Sequence, residues 1–324
     1  MLGLLSLLSA LLASVTAEST GSDSEDEEDL RDVAPLATEG LPGLLDEDDG
    51  MPQSDDTPDP PDPDLAQDGT AQNDILSGNG GNDSLSGDAG GDLIDGRDGD
   101  DTLAGGDGED HITGEAGADS LRGGVANDVL SGGDGHDGLW GDEGDDTLSG
   151  GMGDDQLEGA AGHDSLIGGM GDDSLQGGAG DDRLGGGAGA DLLGGGDGAD
   201  EVEGGEGADT LWGAMPDQTD AAADFLNGGA GDDLLMLGAG DHGHGGEGLD
   251  VFVLGEGADP ARIADFDPAA DELVVLYNPA LHPDPQLALA SDGAATVLML
   301  DGVPLVSLTN GVLPDLAAIQ LRAA

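Results

Sequence analysis

Aspartate recurs at every ninth residue from Asp74 to Asp209: Asp74, Asp83, Asp92, Asp101, Asp110, Asp119, Asp128, Asp137, Asp146, Asp155, Asp164, Asp173, Asp182, Asp191, Asp200 and Asp209. Asp224, Asp233 and Asp250 continue the series after a break and complete the set of candidate metal ligands. Carboxylates spaced this regularly, among glycines whose carbonyls are accessible, offer oxygen-only ligand sets. Hard cations need such sets, and Ca²⁺ takes six to eight oxygens in flexible geometry. Mg²⁺ fits less well, because it holds its waters and prefers a strict octahedron. There is no Cys, and the six His (His111, His136, His163, His242, His244, His282) are scattered, which argues against a soft-metal site.

The elements that must position these aspartates follow from the rest of the unit. Two residues after each Asp stands an aliphatic, from Leu76, Leu85 and Ile94 through to Val202 and Leu211. Gly stands four residues after each Asp, from Gly78 to Gly213. Gly also stands two residues before each Asp from Gly81 to Gly207, except at Ala126. The unit reads G-(G/x)-x-G-x-D-x-(L/I/V)-x. Its aliphatic half is a short strand with one inward side chain. Its Gly-rich half must turn. Turn and strand in alternation wind a solenoid with two units per coil, so like positions stack every 18 residues. Sixteen units give about eight coils, roughly 40 Å long at the spacing of neighbouring strands. The aspartates then form two columns, one on each edge. Without a cation the stacked carboxylates repel, so binding and folding are expected to be one event.

Composition agrees. The 324 residues carry 72 acidic and 6 basic groups, a formal charge of −66. Nucleic acid and anionic membrane surfaces would repel such a chain. Only 2% of residues are aromatic, too few for an ordinary close-packed domain. If every gap in both columns fills, about 14 Ca²⁺ bind and the charge falls to about −38.

Units such as Gly150-Gly151-Met152-Gly153-Asp154-Asp155-Gln156-Leu157-Glu158 and Gly177-Gly178-Ala179-Gly180-Asp181-Asp182-Arg183-Leu184-Gly185 resemble the RTX (repeats-in-toxin) calcium-binding nonapeptide at every fixed place. The resemblance implies an all-β chain: a parallel, right-handed β-roll with Ca²⁺ between adjacent turns. It also implies bacterial origin and export by the type I secretion machinery. On family precedent each unit's Asp contributes its carboxylate, and carbonyls of the Gly-rich half complete the shell.

Several places depart from the pattern. The second Gly is replaced in Asn79, Asp88, Arg97, Glu115, Asp142 and Ala160, and Val125-Ala126-Asn127 interrupts one turn. Arg97 and Arg122 lie near the columns, where they either weaken a local site or pair with a spare acid. After Trp212 the phase breaks. Residues 214–223 read as an irregular loop, and 224–253 as degenerate terminal units. In Gly238-Ala239-Gly240-Asp241-His242, the reading puts His242 in the aspartate place. His242 and His244 are expected to be exposed residues of a worn unit rather than metal ligands. Residues 254–324 are expected to form a small C-terminal β cap, since a solenoid needs its open core and exposed strand edge covered, and to include a secretion signal on family precedent. Asp301-Gly302 between two apolar runs is a hairpin signal.

Before the array, residues 18–73 combine charge, Pro and few apolar residues, and read as an acidic disordered linker. Residues 1–17 form an apolar segment, signal-like or anchor-like, ending in a small-x-small pattern. No H-E-x-x-H, G-x-S-x-G or P-loop occurs, so no enzymatic activity is expected. The reading is a secreted, extracellular calcium-binding protein that folds on Ca²⁺ outside the cell, with a structural or surface-associated role. Its expected partners are calcium ions and a cell-surface or polysaccharide ligand, and not nucleic acid. The alternative is an accessory or targeting module of an RTX enzyme system that modifies polysaccharides.

Overall fold

The computed structural model describes residues 62–214, 222–255, 259–291, 295–310 and 312–323. The expected signal-like segment 1–17, the expected linker up to residue 61 and most of the 214–223 loop lie outside these residues. The fold described below belongs to the unit Asp59–Ala324.

Alternate strands along the chain enter opposite sheets, one of 13 strands and one of 14. Eleven strands in each sheet follow one another in this way, from Ala66–Thr70 and Ile75–Ser77 to Val251–Leu254 and Ala261–Ile263. All of these pair in parallel. The step between partners in the regular array is 18 residues: Leu148 lies beside Leu130 and Leu166, and Leu157 beside Leu139 and Leu175. The expected β-roll is present, and it is longer than the eight coils counted from the unbroken repeats.

Each strand turns one aliphatic inward. Every residue of the series from Leu76 to Leu211 is at most 3% exposed. Full burial of such a side chain stabilises by about 1.5–3 kcal/mol. The double layer of aliphatics from Leu76 to Leu211 therefore supplies the core, with no aromatic ring at any inward place of that series.

Differences from the sequence reading fall at the two ends. The first strand, Ala66–Thr70, begins within the stretch read as linker and pairs with Ser84–Ala89. Its inward place is held by exposed Gln67 beside Leu85, and the residue of the first coil that packs against the core is Leu65. At the other end parallel stacking persists past residue 253: Glu272–Tyr277 and then Gln320–Ala323 extend one sheet. In the other sheet Val303–Leu308 follows Ala261–Ile263, and the order then reverses into antiparallel Thr296–Leu300 and Leu287–Ser291. Asp301 and Gly302 make the expected tight turn with φ of 50° and 85°. Leu287–Ser291 and Gln320–Ala323 were not foreseen, because neither carries a repeat or a strong turn signal.

The break after Trp212 leaves the register intact. Val202 pairs with Leu226 and Leu211 with Leu235, a step of 24 residues. The extra residues are taken up between two strands.

Candidate metal columns

The aspartates stand where the chain enters each strand, and they are buried: from Asp83 to Asp209 each is at most 3% exposed. Two columns result, because like positions stack every second unit. Within a column each aspartate holds its neighbour. Asp119 N–H donates to Asp137 Oδ1, Asp137 N–H to Asp155 Oδ1 and Asp155 N–H to Asp173 Oδ1, each at 2.8 Å. The other column runs in the same way through Asp128, Asp146, Asp164 and Asp182, also at 2.8 Å. The pattern crosses the insertion, where Asp200 N–H reaches Asp224 Oδ1 and Asp209 N–H reaches Asp233 Oδ1, both at 2.9 Å.

One carboxylate oxygen is thereby used. The second, Oδ2, is buried without a hydrogen-bond partner at Asp92, Asp101, Asp110, Asp119, Asp128, Asp137, Asp146, Asp155, Asp164, Asp173, Asp182, Asp191, Asp209 and Asp233. A buried charged oxygen without a partner is costly. Removal from water accordingly pushes Asp128, Asp173 and Asp233 up to about 7. The same cause takes Asp119, Asp146, Asp155, Asp164, Asp182, Asp209 and Asp250 up to about 6. The N–H bond to Oδ1 opposes the rise, and neighbouring carboxylates add to it.

Glycine four residues after each Asp makes room for these oxygens. A Cβ on Gly150 would run into Asp155 Oδ2 and lie 2.7 Å from the Gly168 carbonyl oxygen. Gly168 and Gly186 repeat the arrangement, each with the next column's Oδ2 and a carbonyl oxygen at 2.7 Å. An anionic oxygen and a carbonyl oxygen from successive coils thus converge on one small space. No group of three or more His, Asp or Glu converges among the described residues. A cation here would draw the rest of its shell from backbone carbonyls and water, and oxygen donors of this kind fit Ca²⁺.

The next Gly of the unit has a different role, because its φ is positive: 120° at Gly151 and 119° at Gly178. Asp88, Arg97, Glu115, Asp142 and Ala160 replace it and keep positive φ, from 74° to 84°. The turns survive these substitutions at a conformational cost. Ala126 likewise holds 86°, so Val125-Ala126-Asn127 does not interrupt the winding. Arg97 and Arg122 both turn outward, to Asp95 at 3.5 Å and to Asp142.

One expectation is corrected. His242 does not occupy the aspartate place; Asp241 does. Asp224 N–H donates to Asp241 Oδ1 at 3.2 Å, and His242 pairs with Phe225 one place further along. His242 stacks on Phe225 at 4.6 Å, and His244 Nδ1 lies 2.9 Å from Asp265 Oδ2. The unit is one residue short, so strict nine-residue counting passed over Asp241. Asp271 was missed as well; its Oδ1 accepts from Asp250 N–H at 3.3 Å and continues that column.

A second ladder was also missed. Where the residue before a column aspartate is Asn, Asp or His, its side chain often caps the backbone of the next coil. Asp145 Oδ1 accepts from His163 N–H at 2.9 Å, and Asp172 Oδ1 from Ala190 N–H at 2.8 Å. His136 and His163 use Nδ1 in the same way toward Asp154 and Asp181, both at 2.8 Å. The signal was present in the recurrence of Asn, Asp and His at that place.

Parallel coils with aligned, buried carboxylates and converging carbonyls define a calcium-binding β-roll. A family model for the RTX calcium-binding nonapeptide repeat matches residues 68–103, 95–130, 104–139, 123–157, 131–166, 158–193, 194–214 and 218–241. These segments cover more than half of the chain, which belongs to this family, and its repeats bind several Ca²⁺. No curated protein gives a significant match to the chain.

Proposed function

We propose that the chain is a secreted, non-enzymatic β-roll whose array closes only where calcium is abundant. The aspartates from Asp92 to Asp191, together with Asp209 and Asp233, would hold Ca²⁺ through Oδ2, with carbonyl oxygens of the Gly turns beside them. Bound Ca²⁺ supplies positive charge between coils. The chain's own residues do the rest: the Oδ1 bonds set the carboxylates' direction, and the aliphatic column keeps water from the edge of each site. The observation that carries this reading is the run of buried Oδ2 atoms without hydrogen-bond partners.

Extracellular calcium modules bind at about 10⁻⁴–10⁻³ M. At that affinity the array stays open in the cytosol, where net charge keeps it soluble, and closes outside. The family's type I route suits such a chain, and the closed roll then serves as a structural or surface-associated element. Circular dichroism of the full chain with millimolar calcium and with chelator tests the physical basis. A β spectrum that appears only with calcium is expected; an identical spectrum in both would overturn the reading. Protease treatment of intact cells together with mass analysis of the culture supernatant tests export, which is rejected if the protein is found only inside the cells.

A further inference from the structure

We infer that the two columns contain aspartates of two kinds: calcium ligands in the interior, and turn locks at Asp74, Asp83 and Asp241 that the protein closes with its own N–H groups. The inference rests on the reading of interior column aspartates as ligands and divides the family-pattern positions further.

Asp74 Oδ2 accepts from Thr70 N–H at 2.7 Å and from Thr70 Oγ1 at 2.8 Å. Asp83 Oδ2 accepts from Asn79 N–H at 2.7 Å, and its Oδ1 from Leu65 N–H at 2.7 Å. Asp241 Oδ2 accepts from Gly238 N–H at 2.6 Å, and its Oδ1 from Asp224 N–H. Asp83 and Asp241 therefore have both oxygens engaged by the backbone. A carboxylate in that state already has both oxygens occupied by donors of the chain. To ligate a cation it would have to give up a charge-assisted bond.

Position in the columns explains the difference. Asp74 and Asp83 open the two columns. In the coil before Asp83 the column place is held by Leu65, so no carboxylate precedes it. Gly78 still has the Gly96 carbonyl oxygen beside it, as in the interior, so what sets Asp83 apart is the Asn79 donor. Asp241 ends a unit shortened by one residue. In this unit the place four residues after Asp233, glycine in the interior units, holds Leu237, 3% exposed, so the space that Gly150 or Gly168 keeps open is filled. The shortened turn brings an N–H to Oδ2 in place of a second oxygen.

The locks give the array closed ends that do not depend on calcium, and the number of bound ions is smaller than the number of column aspartates. Native mass spectrometry of the full chain in calcium alone counts the ions directly. The variant D74N/D83N is expected to bind as many ions as the parent chain, and so is D241N. D146N/D155N is expected to lose roughly one ion per substitution, since each removes an anionic ligand; the single variant D146N replaces it if the pair does not fold. Loss of ions from D74N/D83N or D241N on the scale seen in the interior would overturn the inference while leaving the interior ligands in place. A parent chain that binds no calcium would instead overturn the ligand reading itself.

Discussion

The middle of the array and the C-terminal cap share the same two sheets but close them by different means. Between Asp92 and Asp209 each coil buries small aliphatics and aspartates, most of which keep a bare Oδ2. Beyond Asp250 the carboxylates leave the interior. Ala261, 2% exposed, stands in the column place after Asp241, and Asp271 Oδ2 accepts from Asp267 N–H at 2.7 Å. Larger apolar groups replace them: Phe252 and Phe266 meet edge to face at 6.2 Å, over Leu273, Val275, Leu298 and Val306. The contrast separates two ways of stabilising one solenoid. The cap relies on buried apolar area. The array gives up much of that area for ligands, and its closed form depends on an ion.

The comparison can be broken most severely with pH, which acts on all column carboxylates at once. In the metal-free fold burial takes Asp146 up to about 6 and Asp173 up to about 7, above the roughly 3.9 of an unfolded chain. The folded array then binds more protons than the unfolded one across that window, so its stability falls as pH rises. In chelator, lowering pH from about 7.5 to about 5 should restore β signal in circular dichroism. With calcium present, the same acidification should raise the calcium midpoint, because protons compete for Oδ2. A metal-free chain that loses structure on mild acidification contradicts this.

Core truncations come next. Phe252→Ala should cost about 3–5 kcal/mol and weaken the cap with or without calcium. Leu157→Ala should cost about 2–5 kcal/mol and appear as a raised calcium midpoint, because the array is closed only with the ion. Denaturation curves in both conditions check the pair; a calcium-independent cost at Leu157 would erase the distinction.

A smaller effect sharpens the account within the array. Gly186→Ala places a methyl against Asp191 Oδ2 and the Gly204 carbonyl, and should cost about 1–3 kcal/mol. At neighbouring Gly185 nothing lies within 4 Å, and Gly185→Ala should stay within about 0.5 kcal/mol of the parent. Calcium titrations of the two variants should therefore differ. The smallest effect is expected at Arg122→Ala, which removes an exposed pair with Asp142 and should shift the calcium midpoint little.

Much of this was legible in the sequence, because a nine-residue period fixes both the inward aliphatic and the aspartate column. Leu148 and Asp146 needed no structure to be placed. What the period could not convey was a change of count: Asp241 follows Asp233 by eight residues, and its role is set by hydrogen bonds across coils. The bonds from Asn79 to Asp83 and from Thr70 to Asp74 were equally invisible, since a backbone donor leaves no mark in residue type. Gln67 was hidden for another reason: a polar residue in an inward place looks like linker until the strand beside it is known.

Hydrogen exchange of the full chain, compared in millimolar calcium and in excess chelator near neutral pH, tests the central claim most directly. The account predicts that amides of strands such as Thr147–Met152 and Gln156–Ala161 are protected only with calcium, while those of Glu272–Tyr277 and Val303–Leu308 lose least. Equal protection of the array strands in both conditions would contradict it.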